Sequence, residues 1–171
     1  ERYAGGMKIE RPQSKQPMPP HAKRVFKGIV FDVYQWEQEL FDGTKATFEK
    51  VKKADTVVVF PILPDSRILL TKQEQPGKPP FIAGAGGRMD EGEEPLETAH
   101  RELLEETGLD LAVGPWVWTR RHQHIWNGRP SDQYERFFTA RTTDTRIRPH
   151  KQDRHTVAHR WWTFSQLMSS N

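Results

Sequence analysis

The chain of 171 residues contains no cysteine. That absence excludes a disulfide scaffold, a thiolate zinc site and a cysteine nucleophile, and it makes a reducing, cytoplasmic setting the expectation. Long hydrophobic runs are missing as well. The longest, Val57 to Leu63, is interrupted by Pro61 and falls far short of the ~18 residues of a membrane-spanning helix. The opening residues Glu1-Arg2-Tyr3 do not read as a signal peptide. A strong excess of either charge is also absent, since 26 Lys and Arg against 23 Asp and Glu leave a formal +3. That is too little to coat a nucleic acid, and no aromatic signature of an RNA-binding sheet accompanies it. The length favours one domain. What the chain does have is aromatic residues: six Trp, nine Phe and three Tyr, whose positions matter more than their number.

Residues 1–22 carry Gly5, Gly6 and the prolines 12, 17, 19 and 20 with few large apolar side chains, a composition that cannot offset chain entropy. The reading is a flexible lead-in over 1–22 and a single folded domain over 23–171. From Val25 to Trp36 β-branched and aromatic residues predict a strand, and Asp42-Gly43 predicts a turn before a partner strand from Lys45 to Val51, so an N-terminal hairpin is expected. Thr56 to Leu63 reads as a strand covered on both faces, followed after Pro64-Asp65 by a strand from Arg67 to Thr71. Phe81-Ile82 precedes a glycine-rich turn, Gly84-Ala85-Gly86-Gly87. Then comes the strongest helix signal, with Pro95 at a first helical position, Glu93, Glu94 and Glu97 near the N-terminal dipole, an apolar face of Leu96, Ala99 and Leu103, and Gly108 as the stop. Beyond it, Gly114 to His124 and Gln133 to Ala140 read as strands around Asn127-Gly128. A polar loop over 142–156, a last strand from Arg160 to Phe164 and a short helix capped by Ser165 complete the chain. Strands on both sides of a central helix predict an α/β fold with a mixed sheet.

Glu102, Glu105 and Glu106 are related by i, i+3 and i+4, so their carboxylates share one side of that helix. Three like charges together are unfavourable unless a cation neutralises them, and an all-oxygen donor set suits Mg²⁺ or Mn²⁺. Taken alone, the spacing fits a solvated acidic face better, because Glu is a common surface helix former.

The spacing belongs to a longer pattern. Gly87-x5-Glu93-x7-Arg101-Glu102-Leu103-x-Glu105-Glu106-x-Gly108-Leu109 meets every fixed position of a known signature. An accidental match to it is on the order of one in ten million at average residue usage. The stretch resembles the Nudix hydrolases. That resemblance implies an α/β/α sandwich and metal-dependent cleavage of the pyrophosphate in a nucleoside diphosphate linked to another group. It implies Glu102, Glu105 and Glu106 as metal ligands, Gly87 as a backbone carbonyl ligand, Arg101 as the group orienting a glutamate, and Glu93 as support. The chemistry is consistent, because divalent metals neutralise phosphate charge and acidify a bound water.

The part from about Val25 to Gly108, including Arg67-Ile68-Leu69-Leu70-Thr71 and Gln73-Glu74-Gln75, looks like the ADP-ribose pyrophosphatase branch, whose extra strands often form a dimer and a nucleoside pocket. The ending, with Arg160-Trp161-Trp162-Thr163-Phe164, looks like another Nudix subgroup, which leaves a recombined or engineered chain open. Ala85 stands where relatives commonly have proline, and Val157 and Ala158 stand where a glutamate often lies. Asp153 or His155 could replace it, although a lone His in a polar loop is more often solvated. For a base, Trp36, Phe81 and Trp126 are stacking candidates, with core packing the alternative for each. The basic cluster Arg120, Arg121, His122 and His124 suits phosphates or a solvated strand face. The expected function is Mg²⁺-dependent hydrolysis of an ADP-ribose or nucleotide-sugar type substrate, with Mn²⁺ able to substitute. The expected partners are that small molecule and a second copy of the chain, with no membrane and no nucleic acid. The other class left open is a Nudix-fold scaffold that binds metal or nucleotide with little turnover.

Overall fold

The computed structural model describes residues 17–126, 129–151 and 154–169, and describes side chains there except at 123–126 and 129–132. Most of the expected lead-in, the Asn127-Gly128 turn and Asp153 therefore lie outside the described residues, as do the side chains of His124 and Trp126. The described residues divide into two compact units, 17–55 with 119–135, and 56–118 with 136–169. Two long strands, β8 (Val113–Trp126) and β9 (Arg129–Arg141), give residues to both.

The first unit is a meander of β1 (Lys23–Lys27), β2 (Phe31–Glu39) and β3 (Lys45–Lys53). The strand expected over 25–36 is in fact two strands, broken at Gly28-Ile29-Val30. The Gly28 N–H donates to the Phe31 carbonyl at 3.1 Å, and Ile29 is 90% exposed. The letters there are apolar, but the turn hydrogen bond decides the backbone. The expected Asp42-Gly43 turn forms as read: the Leu40 N–H reaches the Thr44 carbonyl at 2.8 Å, and Asp42 Oδ1 accepts from Thr44 Oγ1 at 2.6 Å. β3 then pairs in parallel with β9 through Val51↔Ser131, which makes the sheet a mixed one.

In the second unit, β4 (Thr56–Ile62) and β5 (Ile68–Gln73) pair only at Ile62↔Ile68. The gap that opens between them is filled by β6 (Phe81–Ala83) on β5 and β7 (Ala85–Arg88) on β4, with Gly84 at the switch. This corrects the expected glycine-rich turn: the small residues are strand, because only small residues fit between two diverging strands. β4 alternates, with Val57, Val59 and Pro61 buried and Val58 and Phe60 half-buried, so it is deeply covered on one face only. α1 (Pro95–Thr107) packs against β4 and β7 and contributes Ala99 and Leu103, both fully buried. Truncating Leu103 to alanine would cost about 2 to 5 kcal/mol.

α1 begins as expected. Glu94 sits at the N-cap with its N–H on the Glu97 carboxylate at 3.0 Å, Pro95 follows, and Gly108 closes the helix at φ 73°. Leu96, expected on the core face, is exposed instead; the buried stripe runs through Thr98, Ala99, Leu103, Glu106 and Thr107. The last strand, β10 (Thr156–Trp162), starts earlier than expected and pairs antiparallel with β5. Thr163, not Ser165, caps α2 (Phe164–Met168), through the Gln166 N–H on Thr163 Oγ1 at 3.2 Å. The described α2 is five residues long and buries none of them. No described helix is long and apolar enough to cross a membrane.

Candidate functional site

Two local structures create the site. β7 runs antiparallel to β4, with Gly87 opposite Val57 and Gly86 opposite Val58, so the backbone of the two glycines lies bare beside α1. A Cβ on Gly86 would stand 2.1 Å from the Val57 carbonyl oxygen, and one on Gly87 would stand 2.6 Å from the carboxylate of Glu102. Position 86 is closed by backbone, whereas position 87 is closed only by the end of a flexible side chain. The helix supplies the complement: the Gly86 N–H donates to Glu106 Oε2 at 3.0 Å, which places Glu106 on the buried stripe with a partner.

Arg101 ties this arrangement to the loop before the helix. Its Nε and Nη2 donate to the two oxygens of Glu93 at 2.8 and 2.9 Å, its Nη1 donates to Glu102 Oε1 at 2.7 Å, and Nη2 also reaches the Arg88 carbonyl at 3.2 Å. The fork geometry of a guanidinium suits such bidentate pairing. Glu93 in turn accepts the Asp90 N–H at 3.1 Å, closing the turn that leads into α1. The Arg101 hydrogen bonds hold the Glu93 carboxyl well below its ordinary range, at about 2. Burial pushes Glu102 the other way, upward, despite Arg101 beside it, and the charge of Glu105 adds to that rise. Glu105 itself is shared between Lys151 at 3.4 Å and Arg101 at 3.8 Å.

Among the described residues no three His, Asp or Glu side chains stand together in a metal-binding arrangement. The donor set nevertheless fits a hard cation. Glu93 and Glu102 are ion-paired with Arg101, Glu105 with Lys151, and Glu106 accepts the Gly86 N–H, so four carboxylates gather beside the glycine backbone. Glu102 and Glu106 already bracket the glycine backbone whose oxygens are further hard donors. On α1 the side chains of Glu102 and Glu105 are 12% and 30% exposed and Glu106 is buried, so this is not a freely solvated acidic face.

Trp36 makes a cross-strand ring contact with Phe48 at 6.0 Å in the first unit, and its Nε1 donates to Gln38 Oε1 at 3.3 Å. Phe81 lies on β6 in the second unit, 37% exposed. Arg121 is on β8, whose neighbour Arg120 is ion-paired with Glu135 at 2.6 Å. His155 Nδ1 stands 3.2 Å from the Glu74 carbonyl, tying β10 to the end of β5. Val157 sits exposed at the β10 bulge between Thr156 and Ala158. Two contacts escaped the sequence reading. His159 Nε2 lies 2.9 Å from the Glu106 carbonyl, and Lys151 comes to Glu105 from a loop 46 residues away. No motif marks either, because both depend on how distant segments meet.

The NUDIX domain profile matches residues 52–171. The chain belongs to the Nudix family. That match covers α1 and the C-terminal strands alike. The Nudix chain is 36% identical over 87 residues to an ADP-ribose pyrophosphatase of Bacillus subtilis (strain 168), an alignment covering 50% of this chain and 47% of that protein. It is 29% identical over 96 residues to a methanol dehydrogenase activator of Bacillus methanolicus, covering 56% of this chain and 52% of that one. It therefore spans about half the length of these curated relatives. An ADP compounds hydrolase shares the fold at TM-score 0.54 and 18% identity over 93% of this chain and 84% of its own. A MutT protein from Methanosarcina mazei Go1 does so at TM-score 0.53 and 14% identity, over 69% and 82%. These neighbours establish the mixed α/β Nudix fold.

Proposed function

We propose that this Nudix chain hydrolyses the pyrophosphate bond of a nucleoside diphosphate derivative of the ADP-ribose or nucleotide-sugar kind, with Mg²⁺ or Mn²⁺ held by Glu102, Glu105, Glu106 and the Gly87 carbonyl. The observation that carries the reading is the bracketing of the Gly86-Gly87 backbone by the Glu106 and Glu102 carboxylates. The curated ADP-ribose pyrophosphatase relative supports the substrate class. A bound divalent ion would neutralise phosphate charge and lower the pKa of a coordinated water. The chain's own share is to orient: Arg101, fixed by Glu93, holds Glu102 against β7, and Gly86 fixes Glu106. Trp36, Phe81, Trp126 and Arg121 are the groups proposed to meet the base and phosphates. A second copy of the chain is the proposed protein partner, and the cytoplasm the proposed location.

The test is release of AMP or phosphate from ADP-ribose, nucleotide sugars, dinucleoside polyphosphates and nucleoside triphosphates, with Mg²⁺ and with EDTA. Metal-dependent AMP release from ADP-ribose or a nucleotide sugar is expected. Silence across the panel at high protein concentration would reject hydrolysis and leave a binding scaffold.

A further inference from the structure

The loop before β10 is fastened to the end of α1. The Arg148 N–H donates to the Thr107 carbonyl and the Lys151 N–H to the Glu105 carbonyl, both at 2.9 Å. The Arg148 carbonyl lies against Gly108, where a Cβ would come within 2.0 Å of it. Thr107 and Glu105 are in the last turn, whose carbonyls have no donor within the helix, so the loop supplies the missing partners. One consequence is electrostatic. With its backbone anchored at Glu105, Lys151 carries its ammonium to 3.4 Å from Glu105 Oε2, the same oxygen that Arg101 approaches at 3.8 Å.

The two cations are not equivalent. Arg101 is bonded to both oxygens of Glu93 and to Glu102, and moving it would break all of these. Lys151 is 76% exposed at its side chain, with solvent to move into. An ammonium is a compact, strongly hydrated single charge, whereas a divalent ion brings twice the charge and binds carboxylate oxygens directly.

We propose that Lys151 is the resident counter-cation of the carboxylate centre: with no divalent ion bound, its ammonium neutralises Glu105, and a divalent ion enters by displacing it. This rests on the metal-holding role proposed for Glu105. Lys151 thereby steadies the carboxylates in the metal-free protein and weakens metal binding. The weakening is bounded by the small worth of an exposed ion pair, which corresponds to at most about fivefold in affinity.

The full chain and its Lys151→Gln, Lys151→Arg, Glu105→Gln and Glu105→Gln/Lys151→Gln variants would be titrated with Mn²⁺ by calorimetry at low salt and at about 0.5 M salt. The glutamine keeps the backbone clamp, so the loop stays in place. Lys151→Gln is expected to bind Mn²⁺ about three- to fivefold more tightly than the parent at low salt, with the gap closing at high salt. Lys151→Arg should match the parent, and Lys151→Gln should have no effect once Glu105 is glutamine. Unchanged or weaker binding by Lys151→Gln, while Glu105→Gln weakens binding, overturns the Lys151 assignment alone. Mn²⁺ binding indifferent to Glu105→Gln overturns the metal reading of Glu105 and the Lys151 assignment with it.

Discussion

The carboxylate of Glu102 rests against the backbone of Gly87 so closely that a β-carbon at position 87 would stand 2.6 Å from its carbon and from both its oxygens. Those atoms are the far end of a flexible side chain, so Gly87→Ala can be accommodated by moving Glu102. Its stability cost should be small, within about 1 kcal/mol, while the metal response and any hydrolysis should fall at least about tenfold. Gly86→Ala is a different case, since its β-carbon would meet the Val57 carbonyl oxygen at 2.1 Å, and that atom is backbone. It should break the β4–β7 ladder and cost more than about 3 kcal/mol. Urea melts with activity assays on both variants check the contrast.

Acid should weaken the fold through Glu93. Its folded pKa, at about 2, lies below its ordinary value of 4.5, so its pairing with Arg101 stabilises fully above about pH 4.5 and is lost as the pH falls towards 2. Glu102 has the opposite sign. Its folded pKa is raised, so the native state keeps that proton longer than the unfolded chain, and stability falls as the pH rises from 4.5 through the folded value. Glu93→Gln should therefore flatten the acid limb of a stability–pH profile in EDTA, whereas Glu102→Gln should remove the decline on its alkaline side. A profile unaltered by Glu93→Gln would mean the Arg101 pairing is energetically silent.

How much of this could be read from the letters depends on range. α1, its start at Pro95 and its stop at Gly108 were legible because such signals and the signature positions act within one or two turns, whereas the capping role of Glu94 shows only in the backbone. The Asp42-Gly43 turn was legible for the same reason. The break at Gly28-Ile29-Val30 was not, because Ile29 and Val30 are apolar yet exposed, so composition argues for strand where a hydrogen bond makes a turn. β7 was misread as a turn because its glycines are explained only by β4 and β5 diverging around it. In the centre, Arg101 bonds both Glu93 and Glu102, three positions of one signature. Lys151 carried no signal, since its contact spans 46 residues of sequence.

Assembly is the next expectation. Among the described strands β1 is a five-residue edge, exposed throughout, and Val25 and Phe26 on it and Ile29 and Val30 just after it are all more than half exposed. Such an edge with apolar neighbours invites pairing with another chain. Light scattering at micromolar concentration should give twice the chain mass, and Ile29→Asp should reduce it to one. A monomer in the parent would remove the second copy from the account.

The central claim is that Glu105 and Glu106 hold a divalent ion, and thermal melts of the parent, Glu105→Gln and Glu106→Gln, each with EDTA and with Mn²⁺, test it most directly. Glutamine keeps shape and helix propensity, and at position 106 it still offers an oxygen to the Gly86 N–H. In EDTA Glu106→Gln should be as stable as the parent or more so, because a repelling charge is gone, and Glu105→Gln should stay within about 1 kcal/mol of the parent, because the lost repulsion is offset by the lost pairing with Lys151. At Mn²⁺ about 100 times its dissociation constant, the parent should gain about 2.7 kcal/mol by mass action, and both variants should gain clearly less. Equal metal-induced shifts in all three proteins would contradict the account, because these glutamates would then not hold the metal.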